Sequence, residues 1–388
     1  MKASLSFGSN CKTYEVGDIV FLAQDRPLKL TSGAEISNFP IAYQTYGKLN
    51  ADRSNAILIC HALTGDQYIA SKNPITGKDG WWDFMVGANK PIDTNKFFVI
   101  CSNVIGGCMG SFGPKSIDEK TQQPYATNFP IVTIHDMVRA QKLLIEHFGI
   151  KKLHAVIGGS AGGMQALSWS TQYPQHVKSV IALATSYRHS AQNIAFHEIG
   201  RQAIMADLNW CDGQYLVEKK YPARGLSVAR MTAHITYLSE NALQRKFGRD
   251  LKNSQSASHQ GFSFTFDQEF QIENYLHYQG SRFVERFDPN SYLYITKAVD
   301  YFDLEKEFNG NLSKAFEGFS QNKAAKFCLI SCSDDWLFPP SESKKITQAL
   351  IACNINTSFV TINSSSGHDS FLLGNEVLEN TISGFIEN

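Results

Sequence analysis

Residues 153–165 read LHAVIGGSAGGMQ, and this stretch decides the fold. Leu153–Ile157 is a nearly continuous apolar run, as expected of a strand buried on both faces of a parallel sheet. It breaks into Gly158-Gly159-Ser160-Ala161-Gly162, and helix formers follow until Tyr173-Pro174. A G-x-S-x-G match alone is a weak signal, because glycine and serine are common. At a strand-to-helix turn it gains a mechanical meaning. The serine is held in a strained conformation with its hydroxyl exposed, and the glycines let strand and helix approach closely. The helix N-terminus adds free N–H groups and partial positive charge beside that hydroxyl. Ser160 is the expected nucleophile; the plain alternative is a glycine-rich loop that packs a helix on a strand.

Outward from this turn, short apolar runs alternate with helical patterns. Ala56–Cys60, Phe97–Ser102 and Val177–Ala184 are further strand candidates. Residues 133–149 are predicted helical, with Thr133 as N-cap, Asp136 at N3 and Gly149 at the C-terminal cap. Tyr14–Phe21 and Ile41–Tyr46 are predicted antiparallel edge strands. The alternation resumes near Lys326, with strands at Phe327–Ser331 and Ser358–Ile362 and a helix at Ser341–Ile351 between them. Such alternation implies right-handed crossovers and an α/β fold, its mostly parallel central sheet flanked by helices. Residues 187–310 differ: they are rich in helix formers and aromatic residues, lack β-branched runs, and include a polar stretch at 253–260. The expected organisation is a core of residues 1–186 and 311–388 with a helical insertion over 187–310. An independent domain there is less consistent with a sheet that resumes afterwards.

Lysine and arginine total 36, as do aspartate and glutamate, across 388 residues. A net-neutral chain has no electrostatic footprint for nucleic acid or an anionic membrane, so small-molecule partners are expected. Residues 1–20 carry no basic-then-apolar signal pattern, and no apolar run is long enough to span a bilayer. The eight cysteines are scattered without a C-x-x-C pair, and Cys60 and Cys101 sit inside strand-like runs. Free buried thiols in a reducing compartment, hence a cytoplasmic protein, are expected.

A serine nucleophile needs a general base, and the base a carboxylate that fixes its tautomer. Past the insertion, Phe327–Ser333 leads into Asp334-Asp335-Trp336-Leu337-Phe338-Pro339-Pro340. A carboxylate just beyond a strand is where the orienter belongs, and spacing alone leaves Asp334 and Asp335 open. The last strand-like run is followed by Ser366-Gly367-His368-Asp369, which places His368 as the base. His135, His154, His176 and His277 lie in or near regular elements and read as surface or core residues. The oxyanion donors are expected to be the N–H of Ala161 and that of Leu63, in the turn His61–Asp66 after AILIC. His61 reads as a residue that shapes this turn.

Other chemistries fail locally. His197-Glu198 begins like a zinc-protease helix, but Arg201 stands where the second histidine belongs. Pro114-Lys115-Ser116 mimics the end of a phosphate loop with proline in place of the required glycine. No G-x-G-x-x-G opens a helix after a strand, so a dinucleotide site has no support.

The turns above belong to a longer collinear set of motifs. It includes AYQTYGKLN at 42–50, HALTGD at 61–66, NVIGGCMGSFGP at 103–114 and GGSAGGMQAL at 158–167. RQAIMADLNW, GLSVAR and RFDPNSYLYITKAVDYFDL follow in the insertion, then SDDWLFPP and SGHDSFLL. With these, the sequence resembles the homoserine O-acetyltransferase family of α/β-hydrolase-type acyltransferases over nearly the whole chain. The resemblance implies an α/β-hydrolase fold with an inserted helical lid, and a Ser160–His368–Asp335 triad. Asp335 is preferred because the family pattern reads Asp-x-Leu-Phe-Pro. It further implies that Arg230 binds the carboxylate of an amino-acid acceptor and Asp369 its ammonium. A guanidinium suits a planar carboxylate, and a carboxylate suits an amine. Arg230 by itself reads as a solvated helix residue.

Two residues depart from the family pattern: Ala161 stands where methionine is common, and Phe112 where threonine is usual. Ala161 keeps its backbone N–H; the bulky Phe112 is expected to reshape the substrate pocket. Leu337 bears on the donor, because family members that use succinyl-CoA tend to carry arginine there. The implied reaction is acetyl transfer from acetyl-CoA to L-homoserine through acetyl-Ser160, in methionine biosynthesis. It uses acetyl-CoA as co-substrate with no metal and no bound cofactor, in a homodimer formed through the insertion. The alternatives are L-serine as acceptor, succinyl-CoA as donor, or an esterase or thioesterase with the same triad.

Overall fold

Nine strands build one twisted sheet: β1 (Lys2–Phe7), β2 (Lys12–Leu22), β3 (Phe39–Tyr46), β4 (Ala56–Cys60), β5 (Phe98–Ser102), β6 (Leu153–Gly159), β7 (Val177–Leu183), β8 (Lys326–Cys332) and β9 (Asn356–Ile362). Their spatial order is β1-β2-β3-β5-β4-β6-β7-β8-β9. The computed structural model describes residues 2–7, 12–252 and 264–388. Cys11 and the polar stretch 253–260 lie outside the described residues. The six strands from β5 to β9 run parallel, whereas β1, β2 and β3 form an antiparallel wing joined to β5.

This is the mostly parallel sheet expected from the apolar runs, with one correction at its rim. Tyr14–Phe21 and Ile41–Tyr46 are antiparallel but are not edge strands: β2 pairs with both β1 and β3, and β3 with both β2 and β5. The true edge on that side is β1, whose short, mixed KASLSF gives no apolar run to recognise.

Alternation along each strand serves two cores at once. Leu58, Val156, Val180 and Leu329 join one apolar cluster with α1 (Ile134–His147), α2 (Ala161–Gln172) and α8 (Pro340–Ala352). Ile57, Ile157, Ile181 and Ile330 face the other, with Trp82, Met85 and α9 (Glu376–Glu387). Helix α1 begins as expected: Thr133 accepts from the Asp136 N–H, and Asp136 reaches back to the Thr133 N–H at 2.9 Å.

Between β7 and β8 the chain leaves the sheet and forms α3 (Ala191–Met205), α4 (Ala223–Tyr237), α5 (Glu240–Phe247), α6 (Gln271–Val284) and α7 (Pro289–Asp300). Helix α3 packs on α4, and α4 on α6. Among the described residues no helix is long and apolar enough to cross a membrane.

Candidate active site

The turn from β6 to α2 has the strain its sequence demands. Ser160 adopts φ 57° and ψ −125°, a conformation that costs on the order of 1–3 kcal/mol for a residue with a side chain. Its N–H donates to Leu183 O at 2.9 Å, and Thr185 Oγ1 donates to its carbonyl at 2.7 Å, so the end of β7 and the residues just after it hold the turn from both sides. A Cβ on Gly158 would lie 2.1 Å from Gly162 O, and one on Gly162 would lie 2.1 Å from Cys60 O. Strand β4, strand β6 and helix α2 therefore meet at a distance only glycine permits.

Three loops beyond the parallel strands bring the remaining groups to Ser160. His368 Nε2 lies 2.9 Å from Ser160 Oγ, and His368 Nδ1 lies 2.8 Å from Asp335 Oδ2. The other Asp335 oxygen accepts the N–H groups of Leu337 and Phe338, both at 2.9 Å, which fixes the carboxylate. Asp334 points elsewhere and accepts the Gly367 N–H at 3.2 Å. The carboxylate makes Nδ1 the protonated nitrogen, so Nε2 is free to accept the serine hydroxyl. Burial pulls the His368 pKa down, but the charge and hydrogen bond of Asp335 outweigh it, and the net shift is upward. Phe338, Phe371 and Tyr237 surround the ring, with centroids at 5.3, 5.6 and 6.1 Å.

Leu63 and Ala161 line the same cavity as Ser160, and among the described residues neither N–H donates to a protein acceptor. The turn that carries Leu63 is braced by His61. Its Nδ1 donates to Ala62 O at 2.8 Å, and its Nε2 accepts from Val104 N at 3.2 Å and faces Asn103 Nδ2 at 3.3 Å. Burial pushes the His61 pKa down to about 4, so the ring stays neutral and keeps this pattern. Gln165 on α2 donates to His61 O at 3.1 Å and ties the turn to the elbow.

The cavity at Ser160 has walls that include α3, α4, Leu337 and Phe338. Arg230 lines a second, more polar cavity, to which Thr64, Asp66 and Arg286 contribute. Tyr237 links the two: it lines the first cavity, and the Arg230 guanidinium lies 5.5 Å from its ring. Arg230 Nη1 donates to Thr64 Oγ1 at 3.1 Å. The half-buried Asp369 carboxyl is pushed up by burial, against the opposing pull of His368 and Arg230, so these three groups share one electrostatic neighbourhood.

Phe112 requires a correction. Its ring packs against Phe129, Tyr125 and Phe39 at 4.8, 5.4 and 6.2 Å and lines neither cavity. A ring that large is accommodated in the apolar core rather than in the polar mouth.

Other groupings escaped the sequence reading, which weighed His197 and Arg201 only against a zinc-protease helix. Arg286 is half-buried and donates to Thr64 O at 2.9 Å, beside the proposed oxyanion turn. His189, His197 and Asp300 put their ligand atoms within 4.8 Å of one another, a spacing a metal could use. Arg201 nevertheless holds Asp300 Oδ2 at 2.7 Å, which places a positive charge where a cation would compete. The family motifs contained Arg286 and Asp300, but only the fold shows what they touch. His135 bridges Ser168 and Glu307, and His154 reaches Ile386 O, as side chains outside the site.

A nine-stranded, mostly parallel sheet whose strand-to-helix elbow carries a serine paired to histidine and aspartate defines the α/β-hydrolase class, and the model of the alpha/beta hydrolase fold matches residues 55–375. A homoserine O-acetyltransferase of Mesorhizobium japonicum is 56% identical over 362 residues, 93% of this chain and 91% of its own. One of Zymomonas mobilis is 57% identical over 360 residues, 93% of this chain and 94% of its own. The chain belongs to the homoserine O-acetyltransferase family. The crystal structure of the Bacillus anthracis homoserine O-acetyltransferase matches with TM-score 0.85 at 30% identity, covering 96% of this chain and 97% of that one. Esterase E22 matches with TM-score 0.82 at 29% identity, covering 95% and 99%.

Proposed function

We propose that this protein transfers an acetyl group from acetyl-CoA to the hydroxyl of L-homoserine, giving O-acetyl-L-homoserine and CoA for methionine biosynthesis. One observation carries the reading: the base that lies 2.9 Å from Ser160 Oγ is followed directly by Asp369, whose carboxyl feels the Arg230 charge. A nucleophile with a carboxylate and a guanidinium near its base suits a zwitterionic amino-acid acceptor better than water alone.

Ser160 Oγ attacks the thioester carbonyl as His368 Nε2 takes its proton, and the Leu63 and Ala161 N–H groups receive the oxyanion. Collapse expels the CoA sulfur, which leaves with that proton as the thiol, and Ser160 is acetylated. The homoserine hydroxyl then passes its proton to His368 and attacks the ester. The second collapse frees Ser160, which recovers the proton. Helices α3 and α4 act as a lid that disfavours water at this second step. Leu337 brings an apolar side chain to the cavity, which suits acetyl better than succinyl. The scheme needs no resident metal or cofactor.

The seven described cysteines are free thiols, five of them buried, which is consistent with a reducing cytoplasm. Ile194 and Ile199 on α3, with Val228 and Ile235 on α4, are 39–51% exposed and support a homodimer through the insertion.

The second reading is an esterase, favoured by the likeness to esterase E22. CoA release from acetyl-CoA, followed with a thiol reagent with and without L-homoserine, separates the two. Release that homoserine leaves unchanged overturns the transferase reading. Accumulation of acetyl-Ser160 without acceptor, abolished in Ser160→Ala, is the expected companion result.

A further inference from the structure

We infer that His189, with His197 beside it, forms a subsite that accepts a hydrogen bond from an amide N–H on the pantetheine arm of the acyl-CoA donor. The inference rests on the acyl-transfer reading above. Both rings line the cavity that holds Ser160, and their centroids are 4.9 Å apart. His189 Nδ1 lies 3.0 Å and His197 Nδ1 2.8 Å from the same oxygen, Asp300 Oδ1.

A carboxylate oxygen only accepts, so both Nδ1 atoms carry the proton. Asp300 stays ionised: burial pushes its pKa up, but the hydrogen bonds from His189 and His197 outweigh that and hold it below the usual range. Arg201 occupies its other oxygen at 2.7 Å and is itself braced by Glu198 at 2.9 Å. With Nδ1 engaged, Nε2 is the only polar atom each ring has left to offer. Among the described residues neither Nε2 has a hydrogen-bond partner.

The His189 side chain is 3% exposed, and burial pushes its pKa down to about 4. It is therefore neutral at physiological pH, and its Nε2 presents a lone pair. An unpartnered acceptor on the wall of a binding cavity favours a ligand that donates. The thioester carbonyl must reach Ser160, so the chain that follows the sulfur runs through this cavity. That chain carries two secondary amides, whose N–H groups are donors. In the reading above the homoserine end falls to Asp369 and to Arg230, which lines the second cavity. A metal on Asp300 would instead have to expel three N–H donors from its two oxygens.

The substitution His189→Asn leaves an N–H where Nδ1 stood and removes Nε2, whereas His189→Gln places an amide oxygen near the Nε2 position. His189→Asn is expected to lower kcat/KM for acetyl-CoA by about tenfold, mostly through KM. The same variant should acylate from p-nitrophenyl acetate, which has no amide arm, within about twofold of the unaltered protein. His189→Gln should recover most of the acetyl-CoA loss. Equal losses on both donors, or none on acetyl-CoA, would overturn the subsite. His197→Asn provides the same comparison if His189→Asn does not fold. The unaltered protein tests the parent reading separately: if it releases no CoA from acetyl-CoA, that reading fails and the subsite fails with it.

Discussion

Asp335 Oδ2 lies 2.8 Å from His368 Nδ1, while Asp334, its neighbour in sequence, accepts the Gly367 N–H at 3.2 Å. Two adjacent carboxylates thus serve one histidine in different ways: one orients the ring, and the other anchors the loop that carries it. Asp335→Asn should lower the rate of acetyl-Ser160 formation by about 10⁴-fold, because an amide cannot fix the tautomer or support the imidazolium. Asp334→Asn weakens one backbone contact, and about tenfold or less is expected. Pre-steady-state CoA release from acetyl-CoA measures both, and equal losses would refute the division of roles.

The same pair sets the pH dependence. Burial lowers the His368 pKa, but the Asp335 charge and hydrogen bond win, so the net shift is upward from 6.5. His368 must be neutral to take the Ser160 proton. As pH falls through this raised pKa the base is lost, so kcat/KM for acetyl-CoA should decline with a half-point above 6.5. In Asp335→Asn burial is opposed only by the lesser Asp369 charge, and the half-point of the residual activity should move to lower pH. A half-point common to both proteins would mean that another group titrates.

These contacts also mark how far the sequence could be read. The parallel strands were legible because burial on both faces writes an apolar run, as in AILIC of β4. The elbow was legible because glycine spacing and strand-to-helix context coincide. Strand β1 was not, since an edge strand of mixed residues carries no such run. The resemblance supplied the choice of Asp335 over Asp334, which hydrogen bonding makes physical. Asp300 gave no local signal, because it lies 111 residues from His189 and 99 from Arg201. Phe112 was misplaced for a related reason: its size is visible in sequence, but the aromatic cluster that absorbs it is assembled by the fold.

Arg230 should matter to the acceptor and little to the donor. Its guanidinium donates to Thr64 at 3.1 Å and lies 4.8 Å from the Phe283 ring, so its head is preset before any ligand arrives. Arg230→Lys keeps the charge but loses the planar fork. KM for L-homoserine is expected to rise by roughly 10- to 100-fold. CoA release in the absence of acceptor should change by less than about threefold. A comparable loss in that half-reaction would assign Arg230 to the donor side instead.

Leu337 offers a test of donor choice. Its N–H donates to Asp335 Oδ1 at 2.9 Å, and the residue lines the Ser160 cavity, so its side chain starts from a fixed point beside the triad. Leu337→Arg would bring a guanidinium to that wall, where the terminal carboxylate of a succinyl group could pair with it. The ratio of kcat/KM for succinyl-CoA to that for acetyl-CoA should rise by about 10- to 100-fold. An unchanged ratio would remove Leu337 from the selectivity argument.

The strain at Ser160 depends on glycines that no longer side chain can replace. A Cβ on Gly162 would lie 2.1 Å from Cys60 O, and one on Gly158 2.1 Å from Gly162 O. Both neighbours are backbone atoms, which cannot swing aside as a flexible side chain can. Either alanine must therefore push β4, β6 and α2 apart, and these elements together fix the Ser160 dihedrals. Gly158→Ala and Gly162→Ala are each expected to destabilise the fold by about 3 kcal/mol or more and to slow acylation in whatever fraction still folds. Gly384 provides the control. It lies inside α9 with nothing within 4 Å of its would-be Cβ. Gly384→Ala should stabilise by about 0.5–1 kcal/mol through helix propensity and leave acylation unchanged. Denaturant unfolding and CoA release measured on the three variants decide the matter. If the elbow variants match the control in stability, packing does not enforce the nucleophile's strained conformation.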